Sequence, residues 1–335
     1  MAWYNTVGPE HDVVISSRIR LARNLADYPF ASRLDKTAAR ELIDKTAAVL
    51  LKGETNYKTV DFMSLTPAEA RLYVENHSVS PEFIESTLPH TLVADESEGV
   101  AIMLCEEDHI RLQVLRPGFA LREAYEKACG LDDKLSEGLE LAWDENLGYL
   151  THCPTNLGTG MRASVMMFLP ALTIHKQIGA LSAMVNKLGL TIRGLYGEGT
   201  EADGFMYQIS NQVTLGITEE NSLKKLSDVI SQIITRERQL RASMMSDAPD
   251  RITDTVMRSV GALRYAHLMS SEEFLRHFAY VRLGIALGLV KDISYEQLGS
   301  LLVEVMPATL TLRAGHELDS NSRDLARAKY VRENI

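Results

Sequence analysis

Residues Asp12 to Leu21 read DVVISSRIRL. The density of β-branched residues predicts a strand. Side chains alternate across a strand, so Ser16, Arg18 and Arg20 share one face and Ser17, Ile19 and Leu21 take the other. A second apolar run, Val100 to Cys105, breaks at Glu106-Glu107-Asp108 and resumes as His109-Ile-Arg-Leu-Gln-Val-Leu115. This pattern predicts a strand, a turn and a second strand, with His109, Arg111 and Gln113 on one face. Further on, YLTHCPTNLGTGMRASVMMFLP (Tyr149–Pro170) is a Pro/Asn/Gly loop that runs into an apolar stretch. TIRGLYGEGTEADG (Thr191–Gly204) has glycines at 194, 197, 199 and 204 and is expected to be a mobile loop. A strand is predicted over Phe205–Leu215.

Helical patterns occupy residues 36–52 and 67–76, the second with Thr66 as its cap and Pro67 in its first turn. Phe119–Ala128 also looks helical, closed by Gly130. Beyond Glu219 strand signals vanish and amphipathic helices follow one another. Ser270–Glu273 and Ser294–Gln297 fit the capping box. Ser243–Pro249 is a candidate hinge. The fold class expected is α+β: an antiparallel sheet flanked by helices over residues 1–218, then an all-helical domain over 219–335.

The chain has 335 residues, enough for two domains at roughly 100–200 residues each. Its net charge of -10 repels nucleic acid and anionic membranes, so neither is an expected partner. No apolar run approaches the roughly 18 residues of a membrane span. The start, MAWYNTVGPEHD, does not read as a secretory signal. Cys105, Cys129 and Cys153 are widely spaced and form neither a disulfide framework nor a C-x-x-C metal site. A cytoplasmic protein without its own metal site is expected.

Neither a G-x-x-x-x-G-K-[ST] loop nor a G-x-G-x-x-G turn is present. Arginine stands out instead: Arg18, Arg20, Arg111, Arg162 after a Gly-Thr-Gly turn, and Arg193 before the glycine-rich loop. Guanidinium forks on rigid strands suit phosphate oxygens through bidentate contacts. Any one of them alone reads as a solvated surface residue; as a set they point to phosphate. Glu106, Glu107 and Asp108 place three carboxylates in a turn, and Glu198 lies between Gly197 and Gly199. Two carboxylates converging on a substrate can orient a cationic nucleophile and accept its proton. The alternative is a polar turn. Cys153 alone reads as a small buried residue, and His77 and His109 as loop histidines.

SSRIRLARN (Ser16–Asn24), EEDHIRLQ (Glu106–Gln113), CPTNLGTGMRAS (Cys153–Ser164) and RGLYGEGTEADG (Arg193–Gly204) resemble the ATP:guanidino phosphotransferases, the creatine and arginine kinase superfamily. The order and separation of the four blocks agree over roughly residues 12–218. Within the superfamily the chain is similar to the bacterial protein arginine kinases on two counts. The first arginine block begins at Ser16, which leaves no room for the N-terminal helical domain of the small-guanidine kinases. Arg323-Asp-Leu-Ala-Arg-Ala328 matches the R-D-x-x-R-A motif of their phosphoarginine site.

The resemblance implies a creatine-kinase-like catalytic domain that uses ATP and Mg2+. It implies nucleotide contacts from Ser16, Ser17, Arg18, Ile19, Arg20, His77, Arg111, Arg162, Ala163, Ser164, Val165, Met166, Arg193, Gly194, Leu195, Tyr196, Gly197 and Glu198. Glu107 matches the carboxylate that takes the guanidinium proton, Glu198 a second that holds the guanidinium, and Cys153 a thiolate beside it. Arg323, Asp324, Arg327 and Ala328 match an allosteric phosphoarginine site. Arginine-containing protein substrates, a Clp AAA+ unfoldase, an activator protein and a homodimer or larger homo-oligomer are the implied partners. The role implied is to mark proteins for degradation under stress. Two other functions fit parts of the sequence: a kinase of free arginine or another small guanidino compound, and a phosphoarginine-binding adaptor. In one respect the chain departs from the superfamily: Cys105 stands where the pattern has Asn, which would alter the turn or introduce a redox-sensitive thiol.

Overall fold

A computed structural model describes residues 3–53, 56–194 and 203–335. Ten strands occur among them: β1 (Val14–Arg23), β2 (Lys58–Asp61), β3 (Thr91–Asp95), β4 (Val100–Leu104), β5 (Ile110–Pro117), β6 (Trp143–Asp144), β7 (Gly148–Tyr149), β8 (Met161–Phe168), β9 (Leu190–Gly194) and β10 (Met206–Asn211). Eight of these form one antiparallel sheet in the order β2-β3-β4-β5-β1-β8-β10-β9. The expected antiparallel sheet with flanking helices and a helical C-terminal region is therefore present. β6 and β7 pair separately as a hairpin.

Helices flank the sheet on both faces: α1 (Lys36–Leu51), α2 (Pro67–Glu75), α3 (Pro81–Ile84), α4 (Leu121–Gly138), α5 (Pro170–Ile174) and α6 (Ile178–Lys187) are distributed between the strands, and α2 and α3 pack with Leu92, Ala101 and Met103 on the face opposite α4. α4 packs on β1 and β5 with Ala124, Ala128, Leu131 and Leu135 against the buried residues Ile19, Leu21, Leu112 and Val114. Thr66 caps α2 in a capping box with Glu69. α4 does not end at Gly130 but runs through it to Gly138. A Cβ at Gly130 would meet nothing within 4 Å, so this glycine is an exposed mid-helix residue rather than a cap.

α7 (Glu219–Asp247), α8 (Pro249–Tyr265), α9 (Ser271–Ala286), α10 (Tyr295–Glu304), α11 (Pro307–Ala314) and α12 (Ser320–Asn334) follow. Ser270 and Ser294 cap α9 and α10 through the amides of Glu273 and Gln297. α7 stays helical through Ser243, and the break falls at Ala248 alone, just before Pro249. α7 is tied to the sheet by a buried polar knot. Glu237 accepts from the Ala171 and Leu172 amides at the start of α5, at 3.0 Å each, and pairs with Arg241 at 2.8 Å. Burying this pair is affordable because every carboxylate oxygen has a partner.

Cys105 begins the turn after β4 with φ 62°, in the left-handed region that Asn tolerates well and cysteine does not. It is 1% exposed, and burial pushes its thiol up to about 12. The turn is thus made with a strained backbone at Cys105, and burial keeps its thiol from solvent. In the native protein at pH 8 a thiol reagent should modify Cys153 first. Cys105 should react only after unfolding, as mass spectrometry of labelled peptides would show.

Candidate active site

Guanidinium groups converge on the sheet face opposite α4. Arg18 and Arg20 from β1, Arg111 from β5, Arg162 from β8 and Arg193 from β9 line one cavity of about 1080 Å³. The register explains the convergence. Arg20 stands directly opposite Arg162 on one side and Gln113 on the other, and Arg18 opposite Ser164. Like charges placed opposite each other on a sheet are destabilising, and nothing in the fold requires them here.

Burial, then repulsion from Arg111 and Arg162, pushes the Arg18 guanidinium down to about 10. Burial and three neighbouring arginines hold Arg20 well below the ordinary range, opposed only by Glu106. Arg162 is lowered by burial and by Arg193 and Arg111. The buried Nε atoms of Arg20 and Arg162 have no hydrogen-bond partner among the described residues. Arg18 is better held, donating to Ser164 Oγ at 3.3 Å and Gln208 Oε1 at 2.5 Å. A wall of cations with unused donors is the electrostatic complement of a polyphosphate.

Three adjacent carboxylates have three different environments. Glu106 pairs with Arg111 at 2.5 Å and accepts from Ser80 Oγ at 2.6 Å. Burial alone would raise its pKa, but Arg111 and Ser80 hold it below the usual carboxylate range. Asp108 is buried and accepts from Asn24 Nδ2 and from the His152 amide, each at 2.7 Å. It fastens the segment carrying Cys153 to the turn. Glu107 lines the cavity with a side chain 45% exposed and, among the described residues, forms no ion pair with an arginine. Cys153 Sγ lies 3.1 Å from Thr155 Oγ1, and both Glu107 and Cys153 are close enough to Arg162 to favour its charged form.

His77 lines the cavity from a backbone with φ 59°. Gln113 Nε2 donates to its carbonyl at 2.7 Å, and its ring meets the Trp3 ring edge-on at 4.9 Å. Burial and the nearby Arg18 charge push His77 down to about 4, so it is neutral at neutral pH. The helical region reaches the same cavity: Met306 lines it, and Glu75 at the end of α2 grips the Ala308 and Thr309 amides at 2.7 and 2.9 Å.

Contiguous blocks do not converge as contiguous sequence. Ile19, Ala163 and Val165 point to the opposite face and are fully buried in the core. Ser17 also faces away, its hydroxyl donating to the Gly118 carbonyl at 2.8 Å and accepting the Ala120 amide at 3.0 Å. Ser16 and Met166, cross-strand partners, are buried away from the cavity lining, while Ser164 meets it only through Arg18. His109 lies before β5 rather than in it. It is buried, taking the Leu25 amide at 3.0 Å and contacting the Pro29 carbonyl at 2.8 Å, so it does not share the face of Arg111 and Gln113. Gly194 ends β9 beside Tyr207. Leu195, Tyr196, Gly197 and Glu198 lie outside the described residues.

The C-terminal motif divides. Arg323 lines a second cavity of about 520 Å³ with Arg71, Pro67, Pro307 and Thr311. Arg327 is 1% exposed and turned inward, donating to the Met269 carbonyl at 2.8 Å, the Val305 carbonyl at 3.2 Å and Asp324 at 2.6 Å. Ala328 is fully buried.

Sequence reading passed over Glu106 as a counter-ion, and Ser80, Gln208, Ser210, Thr191 and Met306 as cavity wall. The alternation of β10 puts Gln208 and Ser210 on one face, but only the pairing with β8 says that this face joins the arginines.

Among the described residues no group of three or more His, Cys, Asp or Glu converges as a metal cage, and no helix is long and apolar enough to cross a membrane. Residues 39–240 match the family model "ATP:guanido phosphotransferase, C-terminal catalytic domain". Residues 249–335 match "Protein-arginine kinase McsB C-terminal domain". The chain is similar to a protein-arginine kinase of Pelotomaculum thermopropionicum, 42% identical over 99% of this chain and 95% of that one. It is 43% identical to one of Symbiobacterium thermophilum, over 99% and 96% respectively. Among solved structures, a duplicated taurocyamine kinase of Schistosoma mansoni with bound transition state analog components shares the fold. It has a TM-score of 0.63 and 24% identity, over 73% of this chain and 37% of that one. Lombricine kinase superposes with a TM-score of 0.62 and 25% identity, over 71% and 70%. A cationic cavity with a free carboxylate at its edge, and relatives of nearly equal length, lead to one conclusion: the chain is a phosphotransferase that belongs to the ATP:guanido phosphotransferase family, in its protein-arginine kinase branch.

Proposed function

We propose that this enzyme moves the γ-phosphoryl group of ATP to arginine side chains of proteins. The observation that carries this reading is that Arg18, Arg20, Arg111, Arg162 and Arg193 line one cavity together with Glu107, with Arg20 and Arg162 each keeping an Nε unpartnered among the described residues. Arg18, Arg20, Arg111, Arg162 and Arg193 grip the triphosphate and take up the charge on the equatorial oxygens during transfer. His77, uncharged, borders the nucleotide. An arginine side chain, with a pKa above about 12, is a poor nucleophile until it loses a proton. Glu107 accepts that proton, the freed nitrogen attacks the γ-phosphorus, a P–N bond forms and the bond to the ADP oxygen breaks. Cys153, and Glu198 from the glycine-rich segment, orient the guanidinium.

Magnesium fits this site as an ion carried on the nucleotide, since phosphate oxygens and water supply most of its usual ligands. Bound there, it neutralises part of the phosphate charge. Arg323, with Asp324, Arg327 and Ala328 behind it, belongs in this reading to a phosphoarginine-binding regulatory site. Delivery of marked proteins to a Clp unfoldase under stress, an activator protein, homo-oligomers and a cytoplasmic location complete it.

Incubation with Mg-ATP and an unfolded arginine-rich protein, followed by mass spectrometry at neutral pH, should find acid-labile phosphate on arginine. A parallel incubation with free arginine should give none. Phosphate only on the free amino acid would assign the chain to small guanidines; phosphate on neither would reject the reading.

A further inference from the structure

Glu107 sits on a turn with its side chain 45% exposed, and a carboxylate left to rotate in solvent makes a poorly aimed base. Among the described residues its one ion-pair contact is His152, whose Nδ1 is 3.8 Å from Glu107 Oε1. The imidazole, itself 39% exposed, is held on two sides and its backbone on a third. Its Nε2 lies 3.2 Å from Ser32 Oγ, its ring meets Phe30 edge-on at 5.7 Å, and its backbone amide donates to Asp108 at 2.7 Å. It also directly precedes Cys153. If the Ser32 hydroxyl donates to Nε2, the ring proton resides on Nδ1 and points at Glu107.

We infer that His152 is a positioning residue: it aims the Glu107 carboxylate at the acceptor nitrogen. This rests on the assignment of Glu107 as the base. A closure of less than about 1 Å turns the present separation into a direct hydrogen bond, an ordinary tightening when substrate binds. Ser32 and Phe30 would then act through the ring that they contact. His152 is absent from the cavity lining, so nucleotide binding should not depend on it.

Steady-state kinetics with a protein acceptor test this. His152→Ala should lower kcat roughly ten- to hundredfold, the scale of a misaimed catalytic group, and leave the KM for ATP unchanged. His152→Asn, which keeps an N–H donor near the Nδ1 position, should recover most of that loss. His152→Leu, which keeps bulk without a donor, should not. Equal rates for Asn and Leu, or an Ala variant as active as the unmodified enzyme, would overturn the inference. An unmodified enzyme with no arginine kinase activity would instead overturn the functional reading beneath it.

Discussion

Glu107→Gln is expected to lower the rate of protein arginine phosphorylation by roughly 10²–10⁴-fold, the usual worth of a placed general base. The amide keeps the size of the carboxylate and can still lie beside Arg162, but it cannot accept the guanidinium proton. Among the described residues Glu107 is hydrogen-bonded to no arginine, and its removal costs Arg162 only a through-space attraction. Thermal unfolding and the KM for ATP should therefore stay close to those of the unmodified enzyme. Its neighbours should behave differently. Glu106→Gln would remove the partner of Arg111 and weaken nucleotide binding; Asp108→Asn would loosen the Cys153 segment and cost stability. Phosphoarginine measured at neutral pH in all three variants, with melting curves alongside, separates these roles. Full turnover by Glu107→Gln would remove it from the mechanism.

That contrast shows where the sequence stops being legible. Three carboxylates in a row announce a charged turn. Which one is tied to an arginine, which pins a loop and which stays free depends on Ser80, Asn24 and His152, far apart in the chain and unrelated by any local pattern. The alternation in β1 correctly separates Arg18 and Arg20 from Ser17, Ile19 and Leu21, because period two is a local property of a strand. The motif blocks spread the same role over both faces, and Ile19, Ala163 and Val165 turn out to be core. His109 looked like a strand residue because apolar alternation extends one position beyond the hydrogen-bonded ladder. Gly130 looked like a helix stop because nothing local distinguishes an exposed mid-helix glycine from a cap. The arginine motif of α12 reads as one surface, yet Arg327 is turned inside, where its Nε and Nη1 donate to three oxygens.

Two arginines on the same strand should respond in opposite ways to replacement by methionine. Arg23 is buried but satisfied: Asp132 accepts two hydrogen bonds from it, at 2.8 and 2.7 Å, and its guanidinium stacks 3.4 Å over Tyr149. Arg23→Met strands Asp132 and should cost roughly 3–5 kcal/mol of stability, the penalty for breaking one side of a buried ion pair. Arg20 is part-buried on the cavity wall among cations, with its Nε unpartnered among the described residues. Arg20→Met removes the repulsion from Arg18, Arg111 and Arg162. It should raise the melting temperature of the nucleotide-free enzyme, because like charges opposed on a sheet are destabilising. Turnover should nevertheless fall by roughly 10³-fold or more, because a phosphoryl-transfer site loses one of its clamping cations. The stabilisation that added ATP gives should shrink as well, since it tracks nucleotide affinity. Calorimetry with and without nucleotide, together with turnover, reads all three. A less stable Arg20→Met protein would mean that the arginine has a partner of its own. The cluster would then not be a strained receptor held open for phosphate.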